Sequence, residues 1–389
     1  MQGSTSDDRI SVRAFSDLEV FATVGDVWNS IVRESGASPF LLAEFIVQFM
    51  RLQMLEGWHP LLLLLSVDGV PVGVAPLMTR KHFGVRTTGF LLFPYLSPDF
   101  ALEDRYRGQC IEKIVQFAFQ KLQSDLLELT LPAESPNGRL LKVQCELRNL
   151  HYKVQNLPAN VQGHRLVPIY PSWDEPFIDS IGKPIFLSSQ GHEFTKNINR
   201  MKRNLNRAGT WRIHYVDDLS KEPHEVERIH AVEKLSWKEE LRRQRGEADE
   251  SLHATVKGSI HASASEPNFK CSVCFLELNG QTIAYALSIR YGKLAYIAKT
   301  SFAEEYRNLS PGVFTVNESI RALCDQGQVI GIDFLTDLPF HKTWTTTLAM
   351  RVGVVVSRSR LYNVLTWLYR VFSRMQSEAR KRLRIPSFP

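Results

Sequence analysis

Two hairpin signals, a recurring order of elements and an internal spacing near 200 residues predict an α/β (α+β) protein made of two copies of one unit. Each copy is expected to be a mixed, mainly antiparallel sheet with helices on both faces. In "LLLLLSVDGVPVGVAPLM" the dipeptide Asp68-Gly69 separates two apolar runs, and in "CFLELNGQTIAYALSI" Asn279-Gly280 does the same. Both dipeptides accept the positive φ angles of a two-residue type I′ turn, so each marks a β-hairpin. After each hairpin come a further strand, an irregular loop and an amphipathic helix, at 106–123 in the first copy and 312–326 in the second. A short strand follows each helix, "LLELTLP" at 126–132 and "IDFLTDLP" at 332–339. Strands joined by tight turns pair antiparallel, whereas a strand–helix–strand unit favours parallel pairing, which makes the sheet mixed.

In order, the second copy reads as a basic helix at 192–208, a strand at 211–216, helices around 223–245, and strands at 269–278, 281–290 and 293–299. A loop at 300–311, the helix at 312–326, a strand at 330–336, a short helix near 340–347 and a strand at 350–357 complete it. The stretch "YPSWDEPFIDSIGKP", rich in Pro and turn residues, reads as the link between copies. The expected division is an N-terminal domain at 1–168, a linker at 169–184, a C-terminal domain at 185–357 and a basic amphipathic helix at 358–389.

Composition narrows the class. A chain of 389 residues with 44% hydrophobic and 23% charged residues is long enough for two cored domains and too apolar to be disordered. Its longest apolar run, "PLLLLLSV", is far shorter than the roughly 20 residues of a membrane span. The start, "MQGSTSDDRI", lacks the basic and apolar regions of a signal peptide, so a cytoplasmic location is expected. Cys271 and Cys274 form a CxxC, but in a strand-like run whose geometry turns the two side chains to opposite faces. No second Cys/His pair stands near them, and no metal is expected. The net charge of +6 is concentrated at the end, where nine basic residues and one acid (Glu378) lie from Arg351 onward. A DNA-binding surface is therefore not implied. Walker, GxSxG, HExxH and Rossmann patterns are all missing from the sequence.

The stretch "YRNLSPGVFTVNESIRA" carries the chemistry. Ser310 suits an N-cap, Pro311 the first helical position, and Gly312 leaves space close to the backbone. The N–H groups at such a helix start, with the helix dipole, make an anion seat. The helix at 194–208 has an apolar stripe of Phe194, Ile198, Met201, Leu205 and Ala208 opposite a basic row of Lys196, Arg200, Arg203 and Arg207. That row reads either as a solvated face or as a seat for an anionic acceptor such as a nucleotide-sugar. The tail repeats the pattern, with Leu361, Val364, Leu365, Leu368, Phe372 and Met375 on one stripe and Arg370, Arg374 and Lys381 off it. It can pack on the second domain or make peripheral contact with the inner membrane face.

The order of elements resembles the GNAT acyltransferase fold. The pieces "SPGVFTVNESIRALCDQGQVIGIDFLTDLPFHKTW", "VEKLSWKEELRRQRG" and "FTKNINRMKRNLNRAG" resemble the acetyltransferase family associated with bacterial cellulose biosynthesis. That family is distantly related to the Fem-type aminoacyltransferases, which also carry two GNAT-like copies. The resemblance covers roughly 185–345 well and the N-terminal half loosely. It implies tandem GNAT-like domains and an N-acetyltransferase moving an acyl group from acetyl-CoA or acyl-CoA, as co-substrate, to an amine or hydroxyl. A sugar or surface-polysaccharide precursor is the acceptor it suggests, with no permanently bound cofactor. Arg307, Ser310 and Gly312 fall at the defined positions of the GNAT pyrophosphate loop, with Val313 beside them. Ser310 replaces the first glycine there, and Pro311 removes one N–H donor. The first copy offers Arg105, Gly108 and Cys110 at the same spacing.

By the same resemblance, the strand through Ile297 and Lys299 would bond the pantetheine arm and splay from the strand bearing Asp333, leaving a slot for the thioester. Asp333, His341, Lys342 and Tyr296 are the candidates for proton transfer and oxyanion support. Lys342, followed closely by an aromatic as in Fem-like proteins, is expected to stabilise charge, so Lys342→Ala should abolish turnover without unfolding the chain. Trp237 joins the basic row as a candidate for binding substrate. Two other readings stay open: Fem-like aminoacyl transfer from tRNA, and a non-catalytic GNAT scaffold docking to an envelope-polymer synthesis complex.

Overall fold

The N-terminal half of the computed structural model runs β1 (Ile10–Phe15), α1 (Leu18–Ala22), α2 (Gly25–Glu34), α3 (Ala43–Met54), β2 (His59–Val67), β3 (Val70–His82) and β4 (Val85–Phe90). It continues through β5 (Ala101–Leu102), α4 (Arg107–Gln116), β6 (Leu126–Pro132), α5 (Pro136–Leu147) and β7 (His151–Gln155). Then follow β8 (Gly163–Pro168), β9 (Phe177–Ile178), β10 (Pro184–Ile185), α6 (Gly191–Ala208), β11 (Trp211–Val216), α7 (Val226–Lys234) and α8 (Glu250–Ser265). The chain closes with β12 (Phe269–Leu278), β13 (Gln281–Tyr291), β14 (Leu294–Phe302), α9 (Pro311–Asp325), β15 (Gly331–Asp333) and β16 (Leu348–Ser357). The described residues are 9–82, 84–90, 99–157, 162–168, 177–178, 184–185, 191–239, 250–326, 329–345 and 347–359. The expected tail helix and most of the expected linker lie outside them.

Both hairpins form as their dipeptides dictate: Asp68 and Gly69 take φ of 50° and 82°, Asn279 and Gly280 52° and 83°. The duplication is visible in the pairing. Strands β1 to β4 pair antiparallel in chain order and β4 then pairs parallel with β6 across helix α4. Strands β11 to β14 repeat this, and β14 pairs parallel with β15 across helix α9.

The halves are joined by an exchange that the expected division does not contain. β8, which precedes the linker, pairs antiparallel with β15 of the second half. β16, expected within the second domain, pairs antiparallel with β6 and β7 of the first. The first residues of β16 also pair with β8, so one continuous sheet runs β1-β2-β3-β4-β6-β16-β8-β15-β14-β13-β12-β11. Boundaries at 168 and 357 follow the chain, whereas the hydrogen bonds cross them.

Three apolar clusters fill the layers. One lies under α4 and α5 against the first half-sheet and another under α6 and α9 against the second. The third is common to both halves, bringing Trp28, Phe45 and Phe49 together with Phe269, Tyr285 and Leu287. Within it α3 packs on α8, and a Cβ at Gly258 would lie 2.9 Å from the Phe45 ring. Cys271 sits in this shared cluster and Cys274 in the α6/α9 cluster, so the CxxC does point to opposite faces.

Several elements differ from expectation. The strand expected at 330–336 ends at Asp333, because Leu335 takes a φ of 60° that a strand cannot hold. The helix expected near 340–347 is a 3-10 turn at Pro339–Thr343, and the loop before α9 contains another at Glu304–Leu309. Helix α8 was not foreseen. Residues 240–245 of the helices expected around 223–245 lie outside the described residues.

Candidate active site

Tyr296 and Asp333 are cross-strand partners in the last pair that β14 and β15 make. Beyond it β14 continues to Phe302 beside β13 alone, so the two parallel strands part. On the β13 side the register slips between Leu287 opposite Lys299 and Ser288 opposite Ile297, which leaves Ala298 as a bulge. Bulges re-aim the strand locally. Past this pair Ile297 is buried and Lys299 half-buried on the strand that continues.

Both carboxylate and phenol face a cavity of about 320 Å³ lined from the second half by Tyr296 and Asp333 and from the first by Ser38, Asp99, Arg107 and Asn137 among others. That volume suits the reacting end of a ligand. Asp333 is buried, and its Oδ1 accepts the Leu335 N–H at 2.6 Å. This bond holds Leu335 in its left-handed conformation, a strained position of the kind that collects at functional sites. The Leu335 carbonyl in turn accepts from buried Arg351 of β16 at 3.0 Å. Burial lowers the Arg351 guanidinium to about 10, opposed by the nearby charge of Asp333. The Tyr296 ring meets Phe40 edge-on at 5.6 Å, and its hydroxyl has no hydrogen-bond partner among the described residues. Burial, reinforced by Asp333, raises the pKa of that hydroxyl, which stays protonated.

The other proposed catalytic residues are elsewhere. His341 is buried, stacked on Phe334 at 4.4 Å, with Nδ1 2.9 Å from the Thr336 carbonyl, where it braces the turn. Lys342 is exposed, and neither residue lines the cavity. Trp237 is 43% exposed, and its neighbour Lys238 does the local work. Lys238 Nζ donates to the Thr300 carbonyl at 2.6 Å and lies 3.8 Å from buried Glu233. Glu233 also accepts the Tyr285 hydroxyl at 2.6 Å, which ties α7 to the central strands.

The helix start differs in detail from the expected cap. Ser310 is left-handed (φ 55°, ψ 45°) and its side chain makes no capping bond, while Pro311 does occupy the first turn. Gly312 does not open space for a ligand: a Cβ there would meet the Phe302 ring at 3.0 Å. The N–H groups of Gly312 and Val313 still lack intrahelical acceptors. Arg307 is paired with Glu304 at 2.7 Å. In the first copy Arg105 pairs with Glu103 at 2.6 Å and Cys110 is buried, its thiol pushed up to about 12. The basic row of α6, Lys196, Arg200, Arg203 and Arg207, is exposed, with Ile198, Met201 and Leu205 buried beneath and Ala208 exposed. Helix α6 packs beside α9 and the turn holding Arg307. The one set of potential metal ligands among the described residues, Glu222, His224 and Glu225, includes a carboxylate that Arg228 holds at 3.0 Å.

Asp99 and Asn137 were not foreseen from the sequence. They belong to the first half, are separated from the second-half residues by some two hundred positions, and match no short motif.

Comparison with known proteins agrees with this architecture. Residues 192–343 match the family model described as "Acetyltransferase (GNAT) domain". FemX is similar in structure, with a TM-score of 0.55 at 11% identity over 85% of this chain and 95% of that one. A conserved protein of unknown function from Bacteroides thetaiotaomicron VPI-5482 gives 0.53 at 9% identity, covering 89% and 100%. The C-terminal domain of a protein described as a lysylphosphatidylglycerol synthetase from Agrobacterium fabrum gives 0.52 at 11% identity, covering 89% and 95%. None of the curated proteins matches the chain. Identities this low speak to fold alone: the chain has a mixed α/β fold of the GNAT type, and its residues 192–343 match the GNAT domain model.

Proposed function

We propose that the protein is an acyltransferase that carries an acyl group from acyl-CoA to an amine or hydroxyl acceptor at the Tyr296–Asp333 end of the β14/β15 slot. The observation that carries this reading is the parting of two parallel strands at a buried tyrosine–aspartate pair that opens into a cavity. The match of 192–343 to a GNAT domain supports it.

The acceptor's nitrogen or oxygen attacks the thioester carbonyl carbon, the C–S bond breaks, and the acyl group ends on the acceptor. Asp333 takes the acceptor's proton and passes it to solvent. The neutral Tyr296 hydroxyl donates to the oxyanion as it forms. The departing thiolate takes a proton from solvent. Gly312 and Val313 offer N–H groups to the pyrophosphate, and the basic row of α6, beside that turn, supplies a positive field for the donor's phosphates. N-acetylation, a sugar or surface-polysaccharide precursor as acceptor, and a place in the cellulose-associated family extend this reading. Their support is the resemblance of 194–209, 232–246 and 310–344. For cytoplasmic work at the inner membrane face the support is the charge of the tail. No helix of the described residues is long and apolar enough to cross a membrane.

The test is thiol release from acetyl-CoA with matched amine and hydroxyl acceptors. Acceptor-dependent release that falls about 100-fold in Asp333→Asn is expected. No acceptor-dependent release from the unmutated chain would contradict it. The left-handed Ser310 and the filled space beside Gly312 favour one second reading, in which the donor is aminoacyl-tRNA, and the same assay run with that donor decides between them.

A further inference from the structure

Asp99 is the second acid lining the cavity, half-buried, and acyl transfer at Tyr296 and Asp333 leaves it without a task. It lies in the first half, just before β5. Its Oδ1 accepts the Phe100 N–H at 2.7 Å and Asn137 Nδ2 at 2.8 Å, while Oδ2 accepts the Ser135 hydroxyl at 2.6 Å. These donors are themselves fixed. The Ser135 oxygen caps α5 by accepting the Asn137 N–H at 3.1 Å, and the Asn137 carbonyl oxygen accepts from Arg107 at 2.9 Å. The cavity's lining guanidinium, Arg107, is thus engaged by Asn137 and by Asp104.

A carboxylate oxygen has two lone-pair directions, and among the described residues only Ser135 uses one on Oδ2 of Asp99. Across the same cavity stands Tyr296, more than nine-tenths buried, with a hydroxyl that no described residue engages. A carboxylate held by three donors, with an acceptor position that no described residue fills, and a phenol hydroxyl that no described residue engages are groups prepared for a ligand with hydrogens to donate.

We propose that the first-half wall of the cavity is the acceptor seat, where Asp99 Oδ2 and the Tyr296 hydroxyl oxygen receive the ammonium group of a primary-amine acceptor. This rests on the acyl-transfer reading of the Tyr296–Asp333 end. An ammonium fits better than a hydroxyl because Asp99 brings a second carboxylate into a cavity whose arginine is already occupied. Burial holds the Asp99 carboxyl above its usual range despite its three donors and Arg107, so an arriving cation restores its charge. Neither half alone is then sufficient, since the acceptor is held by the first and the thioester by the second.

The probes are n-propylammonium chloride and 1-propanol, titrated calorimetrically into the full chain near neutral pH without acyl-CoA. Propylammonium should bind at least about tenfold more tightly than propanol, and Asp99→Asn should remove that preference while leaving propanol unchanged. Equal binding of the two probes, or an unchanged preference in Asp99→Asn, overturns the proposal. If Asp99→Asn does not fold, the unmutated chain decides through pH. The groups facing Asp99 are Arg107 on α4, and Tyr296 and Asp333 across the cavity. Protonation of the Asp99 carboxyl, which burial holds above its usual range, takes away the ammonium's charged partner, so propylammonium affinity should fall as the pH is lowered while propanol affinity holds. A flat profile overturns it. Because no donor is present, failure here leaves the acyl-donor reading standing, and failure of donor binding leaves this result unaffected.

Discussion

Tyr296 and Asp333 occupy directly opposed positions on two parallel strands, at the one place where those strands stop pairing. The pairing sets their separation, and the parting gives the space beside them. Asp333 also reaches around to hold Leu335, so the acid anchors the turn by which the chain leaves the sheet. Position and chemistry therefore come from one feature, a strand only three residues long.

Removing only the phenolic oxygen tests that arrangement. Tyr296→Phe keeps the edge-on packing against Phe40 and takes away the donor. The expected result is a drop in kcat of about 100-fold, with KM for acetyl-CoA and the unfolding midpoint close to the parent. Steady-state kinetics and a urea titration measure both.

Lys342 gives a contrast. The Fem-like pattern expects Lys342→Ala to abolish turnover, but the side chain is exposed on a turn that does not line the cavity. The variant is expected to keep kcat within about twofold and stability within about 0.5 kcal/mol. A collapse of kcat with an intact fold would return Lys342 to the mechanism.

Asp99 makes stability depend on pH. Its folded carboxyl is raised by burial, so the folded chain holds a proton at pH values where the unfolded chain has lost it. Stability should accordingly decline as pH rises from about 3.9 to the folded value and level off above it. Asp99→Asn should flatten that part of the profile, read from urea midpoints at a series of pH values.

Packing between the halves reaches the site through aromatic contacts. Gly258 on α8 lies against Phe45, Phe45 meets Phe40 at 5.3 Å, and Phe40 meets Tyr296 at 5.6 Å. Gly258→Leu should destabilise the fold by about 1–3 kcal/mol and lower kcat, because the displaced rings carry Tyr296 with them. Chemical denaturation and kinetics on the same preparation report the two effects.

Local signals in the sequence specify their structure, and long-range pairings leave no such mark. Asp68-Gly69 and Asn279-Gly280 specify their turns through backbone sterics alone, and strands at 126–132 and 211–216 stand where their apolar runs place them. By contrast, "LAMRVGVVVS" announces a buried strand but carries no mark of which half-sheet it joins. Helix α8 was missed because it is buried on several sides, from Leu252 through Ala254, Val256 and Ser259 to Ala262, and so shows no clear stripe. The two Ser-Pro helix starts show the limit for the site. Ser135 caps its helix through the side chain and Ser310 does not, though the dipeptides are identical. What separates them is the backbone entering each helix, which tertiary packing decides. Asp99 escaped notice for the same reason, since its partners Ser135 and Asn137 reach it only in the folded chain.

The central claim is that the β14/β15 slot takes an acyl-CoA. Calorimetric titration of the full chain with acetyl-CoA tests it most directly. Saturable binding at one site per chain, with a dissociation constant below about 1 mM and weakened by added salt, is the result expected. No heat and no rise in melting temperature at millimolar acetyl-CoA would contradict it.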